Sequence, residues 1–542
     1  MKSSQKHYFI YPILILLAVI VGFILGSYFS NNSIGRKFFL NSGNKLNVIL
    51  DVINDQYVDS VSMKDLVEEA IPKIVNELDP HSSYIPARDL EAVNEDMEGH
   101  FSGIGVQFSR QNDTIMVVSV ISGGPSEKVG LQPGDRIVTI NDSLFVGTTI
   151  PDEKILKTLR GPKGTKVRVG IKRNNKEELQ EYEITRGDVP VNTVDVSYQI
   201  DKGIGLIKIN KFGRTTYSEF LHALGLLSQE GCQSYILDLR QNTGGLLDAA
   251  INITNEFLPG GRLIVYTEGK AFPRNEAYAN GTGSCQIQPL VVLMDEMSAS
   301  ASEIVAGAIQ DNDRGLIIGR RSFGKGLVQN QVTLGDKSAL RLTIARYYTS
   351  SGRCIQKEYE LGKSADYEQD LINRFYHGEF DSQDSIKQET KDIYRTTLGR
   401  PVYGGGGIMP DLFIPRDTTG VTSYYSQLQQ NGLIYQYAFV YTDQNREALS
   451  KYKTYEELWA FLKKSNLVEN VVRYAESKKI RRRPVLISRS YKLIENTLQA
   501  YIIRNFFGDS GFYPVLLHND PVVLKAMDVI KKEEAFPKAS EM

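Results

Sequence analysis

The chain has 542 residues, 41% of them apolar and 23% charged, with a formal net charge of -1. At roughly 150 residues per domain this length holds three or four domains of ordinary globular composition. The even charge balance implies no broad basic surface, and no nucleic-acid partner is expected. The three cysteines (Cys232, Cys285, Cys354) are too far apart for a disulfide framework or a zinc site, and no metal or cofactor is expected.

Lys2 and Lys6 precede an apolar run over residues 8–29. The run suits a membrane-spanning helix, which needs about 20 residues. It exceeds the roughly 7–15 apolar residues of a cleaved signal, although Gly26-Ser27 offers a permissive peptidase a site. The flanking lysines favour a cytoplasmic segment 1–8 and a single-pass anchor over 9–29 in the inner membrane. In either case the bulk of the chain is expected in the periplasm or another extracytoplasmic space.

Residues 36–100 read as an N-terminal helical region, with Leu46, Ile49, Leu50 and Ile53, then Leu66, Ala70, Ile71 and Ile74, at helical spacing. Leu78-Asp79-Pro80-His81-Ser82-Ser83-Tyr84 breaks the pattern and reads on composition as a turn. Over 101–188, short β-rich runs (115–121, 136–140, 166–172) alternate with turns, and 150–160 is an amphipathic helix. Ser102-Gly103-Ile104-Gly105-Val106, with Gly130-Leu131-Gln132-Pro133-Gly134-Asp135 downstream, resembles a circularly rearranged PDZ domain. Glycines there let backbone N–H groups converge on a carboxylate, and the next residues offer a strand edge to a peptide.

From residue 189 buried strands (204–209, 235–239, 263–267, 290–294, 316–318) alternate with helices (215–229, 246–257, 300–311), an α/β order. The whole chain is therefore expected to be a multidomain α+β protein. A further strand is expected at 340–348, and 357–398 reads as a polar, charge-rich helical insertion. Residues 417–542 form a tyrosine-rich helical tail that holds Trp459 and no recognisable chemistry.

The chemistry concentrates in Ser298-Ala299-Ser300-Ala301-Ser302-Glu303 and in Ser322-Phe323-Gly324-Lys325-Gly326. A serine at a helix start with one lysine between glycines is the layout of a serine hydrolase whose base is lysine. No histidine lies between His222 and His377, so Lys325 is the base candidate in this stretch. Any of the three serines could occupy the helix start, whose unpaired N–H groups favour a developing oxyanion. A working lysine must be neutral; lowering its pKa from about 10.4 to about 7.5 costs roughly 4 kcal/mol, which burial can supply. A second oxyanion donor is expected from Asp238-Leu239-Arg240-Gln241-Asn242-Thr243-Gly244-Gly245, with Gly244 preferred to Gly245. Asp311 lies eleven residues up the same helix, about 16 Å from Ser300, and is expected to be a supporting charge. Gly319 to Lys325 imitates a phosphate loop, but Gly326 lacks the required hydroxyl.

With Tyr403-Gly404-Gly405-Gly406-Gly407-Ile408-Met409-Pro410-Asp411 closing the segment, the chain from about 44 to 415 resembles the carboxyl-terminal processing peptidases, also called tail-specific proteases. The resemblance implies a crotonase-like or Clp-protease-like core over 189–416. It selects Ser300 as nucleophile, with the Ala301 N–H as oxyanion donor and Gln329 orienting the lysine amine. The family commonly has proline where Thr243 stands, a departure that leaves the glycines intact. The implied substrates are proteins whose free C-terminal tails dock at Gly103, Ile104, Gly105 and Val106. Arg160, on or just after the helix read over 150–160, is our own candidate for a carboxylate sensor. A homodimer through 44–98 and 417–542 and an adaptor lipoprotein stay open as partners. The opposing readings are a catalytically silent envelope PDZ scaffold and a crotonase-like acyl-CoA enzyme.

Overall fold

The computed structural model describes residues 10–31, 45–111, 114–147, 150–173, 178–387 and 392–538. It divides into two units, Met1–Val75 and Asn76–Met542. The first holds α1 (Ile10–Asn31), α2 (Lys45–Gln56) and α3 (Met63–Asn76). The expected transmembrane anchor over 9–29 is not supported: among the described residues no helix is long and apolar enough to cross a membrane. Within α1 the side chains of residues 14–24 are exposed. Lys2 and Lys6 lie outside the described residues.

The second unit starts with β1 (Ser83–Ile85), α4 (Ala87–Glu98) and β2 (His100–Gly103). A domain follows with β3 (Val106–Gln111), β4 (Thr114–Val120), α5 (Pro125–Lys128), β5 (Arg136–Ile140), β6 (Ser143–Leu144), α6 (Asp152–Leu159), β7 (Lys166–Lys172) and β8 (Gln180–Thr185). The exit strand β9 (Gly187–Pro190) pairs antiparallel with β2, so entry and exit form a two-stranded neck. Inside, the order β3-β4-β5-β7-β8, with β6 on β5, leaves β3 at an edge. Val167, Val169 and Ile171 of β7 point inward on alternate positions and meet Ile115, Ile137, Ile155 and Leu159.

The catalytic-type core contains β10 (Val194–Asp201), β11 (Ile204–Ile209), α7 (Thr216–Gln229), β12 (Ser234–Asp238), α8 (Leu247–Asn255), β13 (Leu263–Glu268), β14 (Asn275–Tyr278), β15 (Leu290–Met294), α9 (Ala301–Asp311), β16 (Leu316–Gly319), β17 (Leu327–Thr333) and β18 (Ala339–Thr349). Then come α10 (Ser364–Tyr376), β19 (Ile393–Arg395), β20 (Pro401–Tyr403) and β21 (Leu412–Phe413). One sheet runs β10-β11-β12-β15-β16-β21, parallel except for β10. Its central strands are continuous apolar runs, as expected where both faces are covered. Ile207, Leu237, Val292 and Ile317 face α7, α8 and α9, while Leu206, Ile236, Val291, Leu293 and Ile318 face the other way. A second sheet, β1-β18-β13-β14 with β17 on β18, takes up Ser83–Ile85 as a strand. Within the insertion, only α10, a short 3-10 turn and β19 are regular among the described residues.

The chain closes with α11 (Ser423–Gln430), α12 (Leu433–Leu449), α13 (Tyr455–Leu462), α14 (Leu467–Ser477), α15 (Pro484–Leu517) and α16 (Pro521–Lys531). The first four and most of α15 share their own core, including Leu428, Leu458, Val471 and Leu498. The end of the chain does something else: Leu517, Val522, Val523 and Val529 cover the open face of the parallel sheet. Inside α15, Gly508 adopts φ 60° and ψ -151°, and the helix breaks there. That region of backbone space is essentially open to glycine alone.

Candidate active site

Strands β12 and β15 are parallel neighbours, so the loops after both emerge at the same end of the sheet. The first loop carries Gly244 and Gly245; the second leads into α9 through Ser298, Ser300 and Ser302. Asn242, fully buried, joins them. Its carbonyl accepts from the Ala299 N–H at 3.0 Å and the Ser302 hydroxyl at 2.9 Å, and its amide donates to the Ile209 carbonyl at 2.9 Å.

This wiring separates the three serines. Ser298 and Ser302 are fully buried, and the Ser298 hydroxyl donates to the Leu239 carbonyl at 2.9 Å while accepting from the Asp295 N–H at 3.0 Å. Ser300 is partly exposed at the N-cap of α9. Its φ of 54° with ψ of -112° is a conformation that costs a non-glycine residue about 1–3 kcal/mol and gathers at functional turns.

Glu303, one turn into α9 and fully buried, holds the site together. One carboxylate oxygen accepts from the Ser300 N–H at 2.7 Å and the Lys325 N–H at 2.9 Å. The two backbone nitrogens are therefore no further apart than the sum of those distances. The other oxygen accepts from the Ser322 hydroxyl at 2.5 Å and the Gly324 N–H at 2.7 Å. On the carbonyl side, the buried Tyr347 hydroxyl lies 3.1 Å from the Ser300 carbonyl oxygen and 2.6 Å from that of Lys325. Ser300 and Lys325 are thus bridged by a carboxylate at their N–H groups and by a phenol at their carbonyls. Burial raises the Glu303 pKa against the pull of its four donors, and burial also drives Tyr347 well above its usual value.

Burial lowers the Lys325 pKa, and the nearby Arg341 cation lowers it further; the charges of Glu303 and Asp79 oppose them. The amine makes no hydrogen bond among the described residues. The segment read as a bare turn lies beside it. Asp79 accepts from the N–H groups of His81 and Ser82 and from the hydroxyls of Ser82 and Thr343. Burial alone would raise Asp79, but those four bonds hold it below its usual value. The His81 ring meets the Tyr367 hydroxyl at 2.9 Å, and burial and then the Lys325 charge push its pKa down to about 4.

Gln329 departs from its expected place. Its amide NH2 donates to the Thr343 hydroxyl at 3.4 Å, and its side-chain oxygen accepts nothing from the Lys325 amine among the described residues. The pairing of β17 with β18 shifts register between Val328 and Gln329, where Ile344 of β18 is the extra residue. The oxyanion donors also sort differently from the preference for Gly244. The Gly244 N–H is already committed to the Asn242 side-chain oxygen at 2.9 Å. Those of Gly245 and Ala301 donate to nothing among the described residues. Both glycines are required: a Cβ on Gly244 (φ 102°) would lie 2.7 Å from that of Ser300, and one on Gly245 (φ 142°) 2.1 Å from the Phe212 carbonyl oxygen. Asp311 sits at the far end of α9 in a fully buried ion pair with Arg353 at 2.7 Å.

Lys357, Arg374 and Glu379 of the insertion reach the loop that carries Lys325. Arg374, nearly buried, donates to the Ser322 and Arg321 carbonyls at 2.9 Å each, and Glu379 accepts from both Arg321 and Arg374. The Lys357 amine sits over the rings of Phe323 and Tyr367.

In the β3 to β8 domain, the N–H groups of Ile104 and Gly105 donate to nothing among the described residues, next to the free edge of β3. Gly105 has φ 77° and packs against Gly124 and Pro125; Gly103 lies in β2, beneath the Phe101 ring. Val106 opens β3, and Arg160 caps α6. The Arg160 guanidinium pairs with Glu95 at 3.0 Å and sits 4.5 Å above the Phe101 ring, in the wall of the same cleft. Glu303, Tyr347, Asn242 and Asp79 were not singled out from the sequence; only the Ser300-x-x-Glu303 spacing of a capping box signals one of them.

Residues 203–368 match the model of peptidase family S41, residues 102–184 that of the PDZ domain, and residues 424–508 that of a family of unknown function. A carboxy-terminal-processing protease of Bartonella bacilliformis is 35% identical over 355 residues, covering 63% of this chain and 81% of the relative. The carboxy-terminal processing protease CtpA of Bacillus subtilis is 33% identical over 364 residues, 66% of this chain and 76% of the relative. The solved photosystem II D1 C-terminal processing protease is 25% identical, covering 69% of this chain and 94% of its own, with a TM-score of 0.36. With a PDZ domain beside an S41 core and this identity over most of its relatives' length, the chain belongs to the carboxy-terminal processing proteases, a family of serine peptidases.

Proposed function

We propose that Ser300 and Lys325 form a catalytic dyad that cleaves proteins whose free C-terminal tails have docked on the PDZ edge. The observation that carries this reading is the double bridge, Glu303 at the N–H groups and Tyr347 at the carbonyls, that holds a partly exposed serine beside a lysine of lowered pKa. The neutral amine takes the Ser300 proton as the hydroxyl oxygen attacks the scissile carbonyl. The Ala301 and Gly245 N–H groups receive the oxyanion at the start of α9. Lys325 then returns the proton to the leaving amine, and water releases the acyl group from Ser300. A turn of the Gln329 amide away from Thr343 would let it orient the lysine amine.

A tail would add antiparallel to β3 with its carboxylate on the N–H groups of Ile104 and Gly105. Arg160, drawn from Glu95 by that carboxylate, would report the event to α4. We place this work outside the inner membrane, tethered by residues 9–29; that part rests on the apolar run and the two lysines of the sequence.

The test compares the parent with Ser300→Ala and Lys325→Ala on a loosely folded protein with an apolar tail, its carboxylate free or amidated. The expected result is cleavage by the parent alone, faster with the free carboxylate. Cleavage by Ser300→Ala would reject the nucleophile. Equal rates on both tails would reject tail docking. A parent that binds the tail and cleaves nothing would support the silent scaffold.

A further inference from the structure

We propose that the C-terminal helices supply a second wall to the tail-binding cleft and read tail side chains that a PDZ domain alone leaves in solvent. This rests on the tail docking proposed above and adds a specificity site to it. The cleft beside β3 has a volume of about 1040 Å³. One side is the PDZ groove, with Ile104, Val106 and Phe108 facing Leu156 and Leu159 of α6. The opposite side is built by Tyr435 of α12 and by Tyr501, Arg504 and Asp509 along α15. These wall residues lie in or directly beside the segment that matches a family of unknown function.

The wall is fixed to the PDZ domain. Arg136 of β5 pairs with Asp443 of α12 at 3.0 Å, with both side chains partly buried. Arg446, one turn on, donates to the Pro133 carbonyl. Its guanidinium fits because Gly134 (φ 92°) has no side chain; a Cβ there would lie 2.4 Å from it. The wall is also shaped from within. The break at Gly508 lets Asp509 meet Arg504 at 2.8 Å, and Arg504 lies 4.8 Å over the Phe512 ring. Tyr435 and Tyr501 pack edge to face at 5.2 Å.

An added strand projects its side chains alternately to its two faces. The last residue and the one two before it enter the groove between β3 and α6. The penultimate residue and the one two before that project away, which here is toward the two tyrosines and Arg504. The ligand class is thus an extended peptide with a free carboxylate and an aromatic or long apolar penultimate side chain.

The experiment measures binding of fluorescent ten-residue peptides to full-length protein carrying Ser300→Ala. One peptide has phenylalanine in the penultimate position, one has alanine, and one is the phenylalanine peptide amidated at its C-terminus. The expected result is tighter binding of the phenylalanine peptide than of the alanine peptide, with Tyr501→Ala and Arg504→Gln each removing most of an about fivefold to tenfold preference. Thermal melting of each variant checks that it is folded; Arg504→Gln changes only a partly exposed head group and serves if Tyr501→Ala does not fold. An unchanged preference in a folded variant overturns the second wall while leaving the PDZ reading intact. Equal binding of the free and amidated peptides overturns both.

Discussion

Glu303→Gln replaces the group that spans the proposed dyad. The carboxylate accepts four hydrogen bonds and donates none. An amide of the same shape loses least by turning its NH2 toward Ser322, whose hydroxyl can accept instead of donate; the buried Gly324 N–H is then left facing another donor. At about 1.5–3 kcal/mol for the lost bond to a charged group, with the other three weakened to neutral bonds and the relief of no longer burying a charge set against them, the net destabilisation is about 1–3 kcal/mol. The loop then loosens on both sides of Lys325, and a misplacement near 1 Å costs on the order of a hundredfold in rate. There is also an electrostatic signature. The Glu303 charge holds the Lys325 pKa up against burial and Arg341, so its removal lowers that pKa further. With the neutral amine as the proposed active form, the acid limb of the pH profile of kcat/KM should move to lower pH. Steady-state assays on a tailed substrate across pH, with thermal melts of both proteins, measure both effects. A variant within twofold of the parent, or an acid limb displaced to higher pH, would refute the bridging role.

Lys325→Met should abolish cleavage and stabilise the fold near neutral pH. A lysine whose folded pKa lies below its unfolded value makes the parent bind fewer protons when folded, so the gain should vanish above the ordinary lysine pKa, as melts at several pH values would show. Gly244→Ala puts a methyl group 2.7 Å from the Ser300 Cβ, and kcat should fall about a hundredfold or more with a smaller change in KM. Arg374→Ala frees the Arg321 and Ser322 carbonyls and weakens the pairing of buried Glu379; a loss of about 3–5 kcal/mol in chemical denaturation is expected, partly restored by Arg374→Lys. His81 should stay neutral down to about pH 4, so its ring resonances in selectively labelled protein should not titrate between pH 5 and 8.

Much of the architecture follows from local pattern. The runs at 136–140, 166–172, 204–209 and 290–294 coincide with β5, β7, β11 and β15, because continuous or alternating apolar residues between turns have few other ways to be buried. The helix after the serines was equally legible, and so was the need for glycine at 244 and 245, where φ is positive. The pattern did not say what each apolar face would meet. The last helices of the tail cover the protease sheet, and Ser83–Ile85 joins β18, partners hundreds of residues away.

The same limit governs the site. Residue types and spacing announced a serine near a helix start and a lysine between glycines. Which of three serines stays partly exposed depends on Asn242 and Leu239 occupying the other two, and which glycine N–H is free depends on where the Asn242 side chain turns. Gln329 had the expected spacing, but its amide donates to Thr343 on the neighbouring strand. Backbone preference and burial are properties of a few consecutive residues and can be read along the chain. Hydrogen-bond partnership, the lowered lysine pKa and the wall facing the PDZ groove arise between segments far apart in sequence, and only their packing decides them.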